Sequence, residues 1–564
     1  MRENINKKQF IVYLSLFLLI LGIVLRFAIV NNDITGEEYD FVLPAKSIAK
    51  IGHPIFYQSE QVPKELALWH PPMYIFILSL IVHFSASELF IRLLNVIAIL
   101  LTSILIYFFC LNFLKENGKS IGIIASSLFL INYYVLSSSI LIDIDALSTL
   151  FVFSFIFFTL KYYRKNNCVF LLLSILSFLL ALANRYPIAI LVYVSVFILM
   201  ISNKQTRWYY KRYLIIGVSS ALIFLLIWTF YSTIIEPGTF LYFIHHNAQL
   251  GASQFSSIAL YSSSFALNIS QIIRLFTLPA VLLFLISIYF VYKKKEFEVR
   301  AILVYTISII LLFIIVPRPA FGYPRYFLTS MPGFFILISL FFYKIYTNRQ
   351  DLKKNILYAS LIGIISLIVL ISLNPQLTLY RNDGLIKATN LPDFLFNMCG
   401  ALPLLLILLV KNKNKKGIFI LSLFVLFISY SLYFDIKFAF NESHIEEVGN
   451  YLKANTNSSD IILAPKAVAY YAERRFYAND YYKPALNKLS ARYFLDYFIE
   501  SKNNRNLDSS FFWGNDLRGG VFYSNYTLPD DGLYNARYVV LSYNLSNETY
   551  EKKIGDFYIY RLNN

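Results

Sequence analysis

The chain has 564 residues, 57% of them hydrophobic, 18% aromatic and only 15% charged, with a net charge of +17. Its apolar runs repeatedly reach the roughly 20 residues that cross a bilayer, which excludes a soluble globular protein and defines a polytopic α-helical membrane protein. The positive charge does not point to nucleic acid, because after about residue 435 the basic and acidic residues balance, 15 against 16, and the excess lies in the membrane part.

Residues 10–30 form the first apolar run, behind Lys7 and Lys8. The run is longer than a signal-peptide core and has no small-residue cleavage site, so it is expected to be a retained span with a cytoplasmic N-terminus. A polar loop over 31–88 follows. It opens with four carboxylates in eight residues, Asp33, Glu37, Glu38 and Asp40, and continues to Trp69-His70-Pro71-Pro72. Acidic groups beside lipid are costly, and chemistry at the membrane surface is the first reason to test. Thr35-Gly-Glu-Glu38 also fits a capping box, with Thr35 as N-cap and Glu38 at the third helical position.

Fourteen apolar runs can be read along the chain, near 10–30, 73–86, 89–113, 120–141, 146–162, 168–183, 186–202, 213–231, 271–292, 299–316, 327–346, 355–373, 396–410 and 417–434. If all crossed, the basic clusters at 115/119, 161–165, 204–212, 293–300, 344–354 and 411–416 would face away from the N-terminus, against the positive-inside rule. The conflict disappears if 73–86 lies in the interface or re-enters. About 13 transmembrane helices then place the basic clusters inside. Every polar segment of interest falls outside: the 31–88 loop, Asp143 and Asp145, Asn184-Arg185-Tyr186-Pro187, the 232–270 loop with His245-His246, the stretch from Pro317 to Arg325, the 374–395 loop and the C-terminal region.

Asp143 and Asp145 open the fourth span. Capping that helix needs only one of them, and the other is suited to a divalent cation or an acceptor. The three cysteines, Cys110, Cys168 and Cys399, lie in or beside apolar runs and form neither a disulfide framework nor a zinc-type cluster. The chain is expected to divide into a membrane domain, 1–434, and a small extracytoplasmic α/β domain, 435–564. In the latter, Glu446 to Ala454 suits a helix, while 460–464, 538–542 and 557–560 suit strands. Five of six Asn-x-Ser/Thr sequons fall in that domain, a weak support for its placement outside.

With this layout, the chain resembles the GT-C superfamily of polyprenyl-phosphate-sugar-dependent glycosyltransferases, in the group of protein mannosyltransferases, aminoarabinose transferases and rhizobial galacturonosyltransferases. The resemblance is carried by Gly36-Glu37-Glu38-Tyr39 through Gly52, His70-Pro71-Pro72-Met73-Tyr74, Glu88-Leu-Phe-Ile-Arg92-Leu and Asp143-Ile-Asp145-Ala-Leu. Asn184-Arg185-Tyr186, His245-His246-Asn247 and Tyr323-Pro324-Arg325-Tyr326-Phe327-Leu328 complete it. Two features depart from the pattern. Glu37-Glu38 stands where Asp-Glu is common, and Arg185 stands where many relatives have Lys.

The resemblance implies inverting transfer of a sugar from a dolichyl- or undecaprenyl-phosphate donor to a protein, lipid or cell-surface glycan acceptor on the outer face. It implies Glu37 as the base, with Glu38 and then Asp40 as alternatives, and His70, Arg185, Arg325 and Tyr326 at the donor phosphate. His246 would line the site, as would Arg92, for which an ion pair with a first-loop carboxylate is the equal alternative. Asp143 and Asp145 could hold Mg, Mn or Zn, a point on which related enzymes differ. Any of the arginines can instead snorkel to lipid headgroups. The competing classes are a transporter or lipid-linked-sugar flippase, expected to carry ionisable groups near the bilayer midplane, and a scaffold, which leaves the acidic loop unexplained.

Overall fold

The structure, a computed structural model, describes residues 2–29, 38–54, 73–85, 87–114, 117–202, 209–231, 296–315, 324–347, 444–464, 466–478, 536–541, 550–555 and 557–561, with short stretches between 281 and 291. They belong to two compact units. One comprises 1–30, 92–228 and 257–440; the other comprises 31–91, 229–256 and 441–564.

In the first unit the helices are α1 (Arg2–Ile29), most of α4 (Glu88–Phe113), α5 (Gly118–Ile131), α6 (Tyr133–Ile140), α7 (Asp145–Lys165), α8 (Cys168–Ser202), α9 (Tyr210–Phe230), α10 (Phe297–Ile315) and α11 (Met331–Thr347). A 3-10 helix over Pro324–Ser330 leads into α11. Among the described residues, α4, α7, α8, α9 and α10 are long and apolar enough to cross a bilayer. The expected runs at 355–373, 396–410 and 417–434 lie outside the described residues.

Helix α8 is two spans. Arg185 has non-helical angles, φ −154° and ψ 75°, two residues before Pro187, where the missing N–H and the ring's clash with the preceding turn break the helix. In a straight helix residues 178 and 193 would lie about 22 Å apart. Instead the Phe178 and Tyr193 rings stack with centroids at 5.0 Å. The chain therefore folds back at 184–187, as the two separate apolar runs imply.

Helices α5 and α6 meet at a 66° bend. Asn132 creates it by leaving the helical region, φ −68° and ψ 128°, while its side chain caps α6 by accepting from the Tyr134 and Val135 N–H groups. On the other side of the bend, the buried Arg26 of α1 donates to the Leu130 carbonyl at 2.8 Å and to its own Gly22 carbonyl at 2.6 Å. That satisfies an acceptor which the end of α5 would leave open in apolar surroundings. Gly22 lets α1 come that close, since a Cβ there would sit 3.0 Å from Leu130 Cβ.

The bundle has a basic end and an acidic end. At the basic end Arg164 Nε pairs with Glu298 Oε1 at 2.5 Å and Arg164 Nη1 donates to the Asn112 carbonyl, joining α7, α10 and α4. Helix α10 runs from Glu298 there to Phe313 beside Arg185, so Asp145 and Arg185 lie at the opposite end from the basic clusters of these helices.

The second unit contains α2 (Tyr39–Ile51), α3 (Met73–Phe84) and the first turn of α4. With them are α12 (Ile445–Asn455), α13 (Lys466–Ala472) and strands β1 (Ile461–Ala464), β2 (Arg475–Ala478), β3 (Ala536–Leu541), β4 (Lys552–Ile554) and β5 (Phe557–Arg561). The sheet order is β2-β1-β3-β5-β4. β1 is parallel to β2 and β3, and β5 is antiparallel to β3 and β4. The expected helix and three strands of the α/β region are present, and α13, β2 and β4 are additional. Helix α3 has 12 residues, about 18 Å and too short to cross. It packs on α2, with Phe41 edge-on to Tyr74 at 5.4 Å.

Candidate functional site

At the acidic end of the first unit, the segment between α6 and α7 is held by donors from α4 and α8. Helix α6 ends with open carbonyls. Arg92 Nη1 donates to the Ile140 carbonyl at 2.6 Å, and Asn95 Nδ2 donates to the Leu141 carbonyl and, at 3.0 Å, to the Asp143 carbonyl. Asn184 Nδ2 donates to the Ile144 carbonyl at 2.9 Å and to Ser148 Oγ at 2.7 Å. All of these side chains are buried.

The two aspartates held in this way have different tasks. Asp143 Oδ1 accepts from the Asp145 N–H at 2.7 Å, an Asx-type turn leading into α7; the expected aspartate N-cap is corrected, since Ile144 takes that place without a side-chain cap bond. Asp145 forms an ion pair with Arg185, both side chains being at least nine-tenths buried. Asp145 and Arg185 were thus expected to serve separate ligands, and the fold brings them together. The Arg185 guanidinium also lies over the Phe313 ring at 5.9 Å, a favourable placement of a cation on an aromatic face. Phe313 meets Phe327 edge-on at 5.6 Å. Phe327 is in the 3-10 helix that carries Arg325 and Tyr326, so the segment of Arg185 and the segment of Arg325 are neighbours.

That 3-10 helix is tied to α7 and α10. Tyr305 Oη donates to the Thr329 carbonyl, and Thr149 Oγ1 donates to the Asp145 carbonyl at 2.8 Å and lies 3.4 Å from Thr329 Oγ1. Tyr305, Thr149 and Thr329 are fully buried. Isolated hydroxyls inside apolar runs give little sequence signal, and these three were not anticipated.

In the second unit α2 begins at Tyr39, and Glu38 takes the N-cap place without a side-chain cap bond. Its carbonyl accepts from Phe41 at 3.1 Å and Val42 at 3.0 Å. The capping-box reading, with Glu38 at the third helical position, is corrected: the helix starts too late for it. Glu38 is 1% exposed and Asp40 is half-buried. Thr35, Glu37, His70, His245 and His246 lie outside the described residues, as do the side chains of Arg325 and Tyr326.

A metal fits the described residues poorly. No group of three or more His, Cys, Asp or Glu among them is placed to hold an ion, and Asp145 is engaged by a cation of the protein itself.

The fold is similar to those of membrane transferases of known structure. A model of the dolichyl-phosphate-mannose-protein mannosyltransferase family matches residues 69–230, the segment containing Arg92, Asp143, Asp145 and Arg185. The chain is similar to the apo crystal structure of ArnT from Cupriavidus metallidurans, at 12% identity and TM-score 0.56, over 82% of this chain and 85% of that one. Similarity to the same protein bound to undecaprenyl phosphate is 12% identity and TM-score 0.55, over 83% and 85%. The apo Archaeoglobus fulgidus oligosaccharyltransferase aligns at 12% identity and TM-score 0.51, over 94% of this chain and 69% of that one. No curated protein sequence matches the chain.

Proposed function

We propose that the chain is an inverting glycosyltransferase that moves a sugar from a polyprenyl-phosphate donor to an acceptor on the outer face of the membrane. The observation that carries this reading is the GT-C fold, combined with a buried Asp-Arg-Asn cluster at the end of the bundle opposite its basic clusters. A lipid-linked donor gives a reason for a membrane domain, and the ArnT structure with undecaprenyl phosphate supports that donor class.

In this reading the acceptor hydroxyl attacks the anomeric carbon from the face opposite the phosphate. The new C–O bond forms as the bond to the phosphate oxygen breaks, and the electron pair leaves with polyprenyl phosphate. The hydroxyl proton becomes acidic as its oxygen bonds to carbon, and the Glu37 carboxylate takes it, with Glu38 and Asp40 next in order. Arg185, Arg325, Tyr326 and His70 stabilise the negative charge that develops on the phosphate. A guanidinium presents five N–H donors, so the pairing of Arg185 with Asp145 is compatible with a phosphate contact. Arg92 and His246 line the site. Its first task in the fold is to hold Ile140, which makes Arg92 a support for the Asp143 segment.

The test is turnover by the purified full-length protein in liposomes, using a panel of radiolabelled polyprenyl-phosphate hexoses and following release of polyprenyl phosphate. Glu37→Gln or Glu38→Gln is expected to lower turnover by about 10²- to 10⁴-fold, the usual contribution of a general base. Undiminished turnover in both variants would remove the base assignment, and release of no polyprenyl phosphate from any donor would remove the transferase reading.

A further inference from the structure

The second unit joins two parts of the chain that sequence separates by about 400 residues, the first-loop helix α2 and the C-terminal helix α13. Lys46 Nζ of α2 lies over the Tyr470 ring of α13, 3.8 Å from its centroid. The neighbouring Tyr471 donates its hydroxyl to Glu88 Oε2, at the start of α4, at 2.8 Å. Two adjacent tyrosines therefore grip two points of the loop's frame, one at each end of the segment from α2 to α4.

Helix α13 is itself firmly placed. Gly449 of α12 presses against it so closely that a Cβ there would lie 2.3 Å from Tyr471 Cβ. The turn after α13 is bolted to the end of α12: Arg474 Nη2 donates to the Lys453 carbonyl at 2.9 Å and to the Thr456 carbonyl at 2.8 Å, and Arg474 Nε donates to Thr456 Oγ1 at 2.8 Å. Lys453 Nζ also pairs with Glu473 Oε2 at 2.9 Å. On the α2 side, Glu38 is bonded through its carbonyl to Phe41 and Val42, so it moves with the helix.

We infer that α13 is a positioning element for the reaction centre: by seating Tyr470 on Lys46 and Tyr471 on Glu88, the C-terminal region fixes α2 and the carboxylates of Glu38 and Asp40 at its start. This rests on the transferase reading of those carboxylates, whereas the docking of α13 on α2 stands independently of it. The tyrosines touch neither donor nor acceptor; they act through the orientation of α2, and small misplacements of a reacting group are costly to rate.

Docking also has a pH signature. Burial lowers the Lys46 ammonium to about 8; Glu88 opposes this, Lys50 adds to it, Glu473 opposes it and Lys453 adds to it. An undocked lysine titrates near its ordinary value of 10.5, so between those values the undocked form binds more protons. Docking therefore tightens as pH rises through 8.

The experiment is hydrogen–deuterium exchange of residues 39–51 in the full-length protein, alongside donor turnover. In Tyr471→Phe these amides are expected to exchange about tenfold faster, the scale of one hydrogen bond to a charged group, while Glu88→Gln, which keeps an acceptor oxygen, retains most of the protection. In the unaltered protein protection, corrected for intrinsic exchange, rises about tenfold from pH 7 to pH 9, the factor carried by one pKa unit. Lys46→Arg abolishes that rise. Tyr471→Phe is further expected to lower kcat about tenfold with the donor KM unchanged. Unchanged exchange in Tyr471→Phe overturns the docking. Faster exchange with undiminished kcat overturns its role in the reaction. If the unaltered protein turns over no donor, the transferase reading fails, and exchange alone decides the docking.

Discussion

Asp145 and Arg185 meet across forty residues of chain because α7 and the first arm of α8 run side by side and end together. In so buried a place each charge depends on the other: a buried pair is weak evidence of net stabilisation, yet removing one partner leaves an uncompensated charge. Asp145→Asn is accordingly expected to cost about 3–5 kcal/mol, measured by denaturant titration in micelles. Adding Arg185→Met should recover much of that loss. Two simply additive losses would show that the pair does not couple. Each of these residues was legible as polar and close to a span end. Their partnership was not, since nothing in Asp143-Ile-Asp145 or Asn184-Arg185 specifies which loop will face it.

At the scale of elements, breaks carry the site. The fold-back at Arg185 sets Asn184 against the start of α7, and the bend at Asn132 turns α6 so that its last carbonyls face Arg92 and Asn95. Pro187 announces the first break in the sequence. The second has no proline or glycine at its centre; Asn132 is one asparagine in an Asn-rich chain, and its role depends on Arg26 accepting the task of satisfying Leu130. Asn132→Ala removes the acceptor for two N–H groups and is expected to cost about 1 kcal/mol by the same titration, with Asn132→Ser close to neutral. A cost of zero for Asn132→Ala would mean that the bend is held by packing and Arg26 alone.

For the whole molecule, sidedness is a prediction from charge. Cys168 is exposed at the basic end, beside Lys165, while Cys110 is buried in α4. With Cys399 replaced by serine and the basic end cytoplasmic, Cys168 should resist a membrane-impermeant maleimide on intact cells and react once the cells are permeabilised. Cys110 should stay unlabelled in the folded protein. Labelling of Cys168 from outside would invert the orientation and move the proposed chemistry to the cytoplasmic face.

The membrane class, the apolar segments, the short apolar run at 73–86 and the acidic first loop are properties of neighbouring residues, since hydropathy, periodicity and local charge act over one or two helical turns; the sequence alone determined them. The pairing of Asp145 with Arg185, the hold of Arg92 on Ile140, the start of α2 at Tyr39 and the grip of Tyr470 and Tyr471 on the first-loop frame were decided by the tertiary structure. Each joins groups distant in the chain or depends on where an element starts, and burial makes the choice of partner decisive, because a buried charge or carbonyl without one is expensive wherever the chain places it.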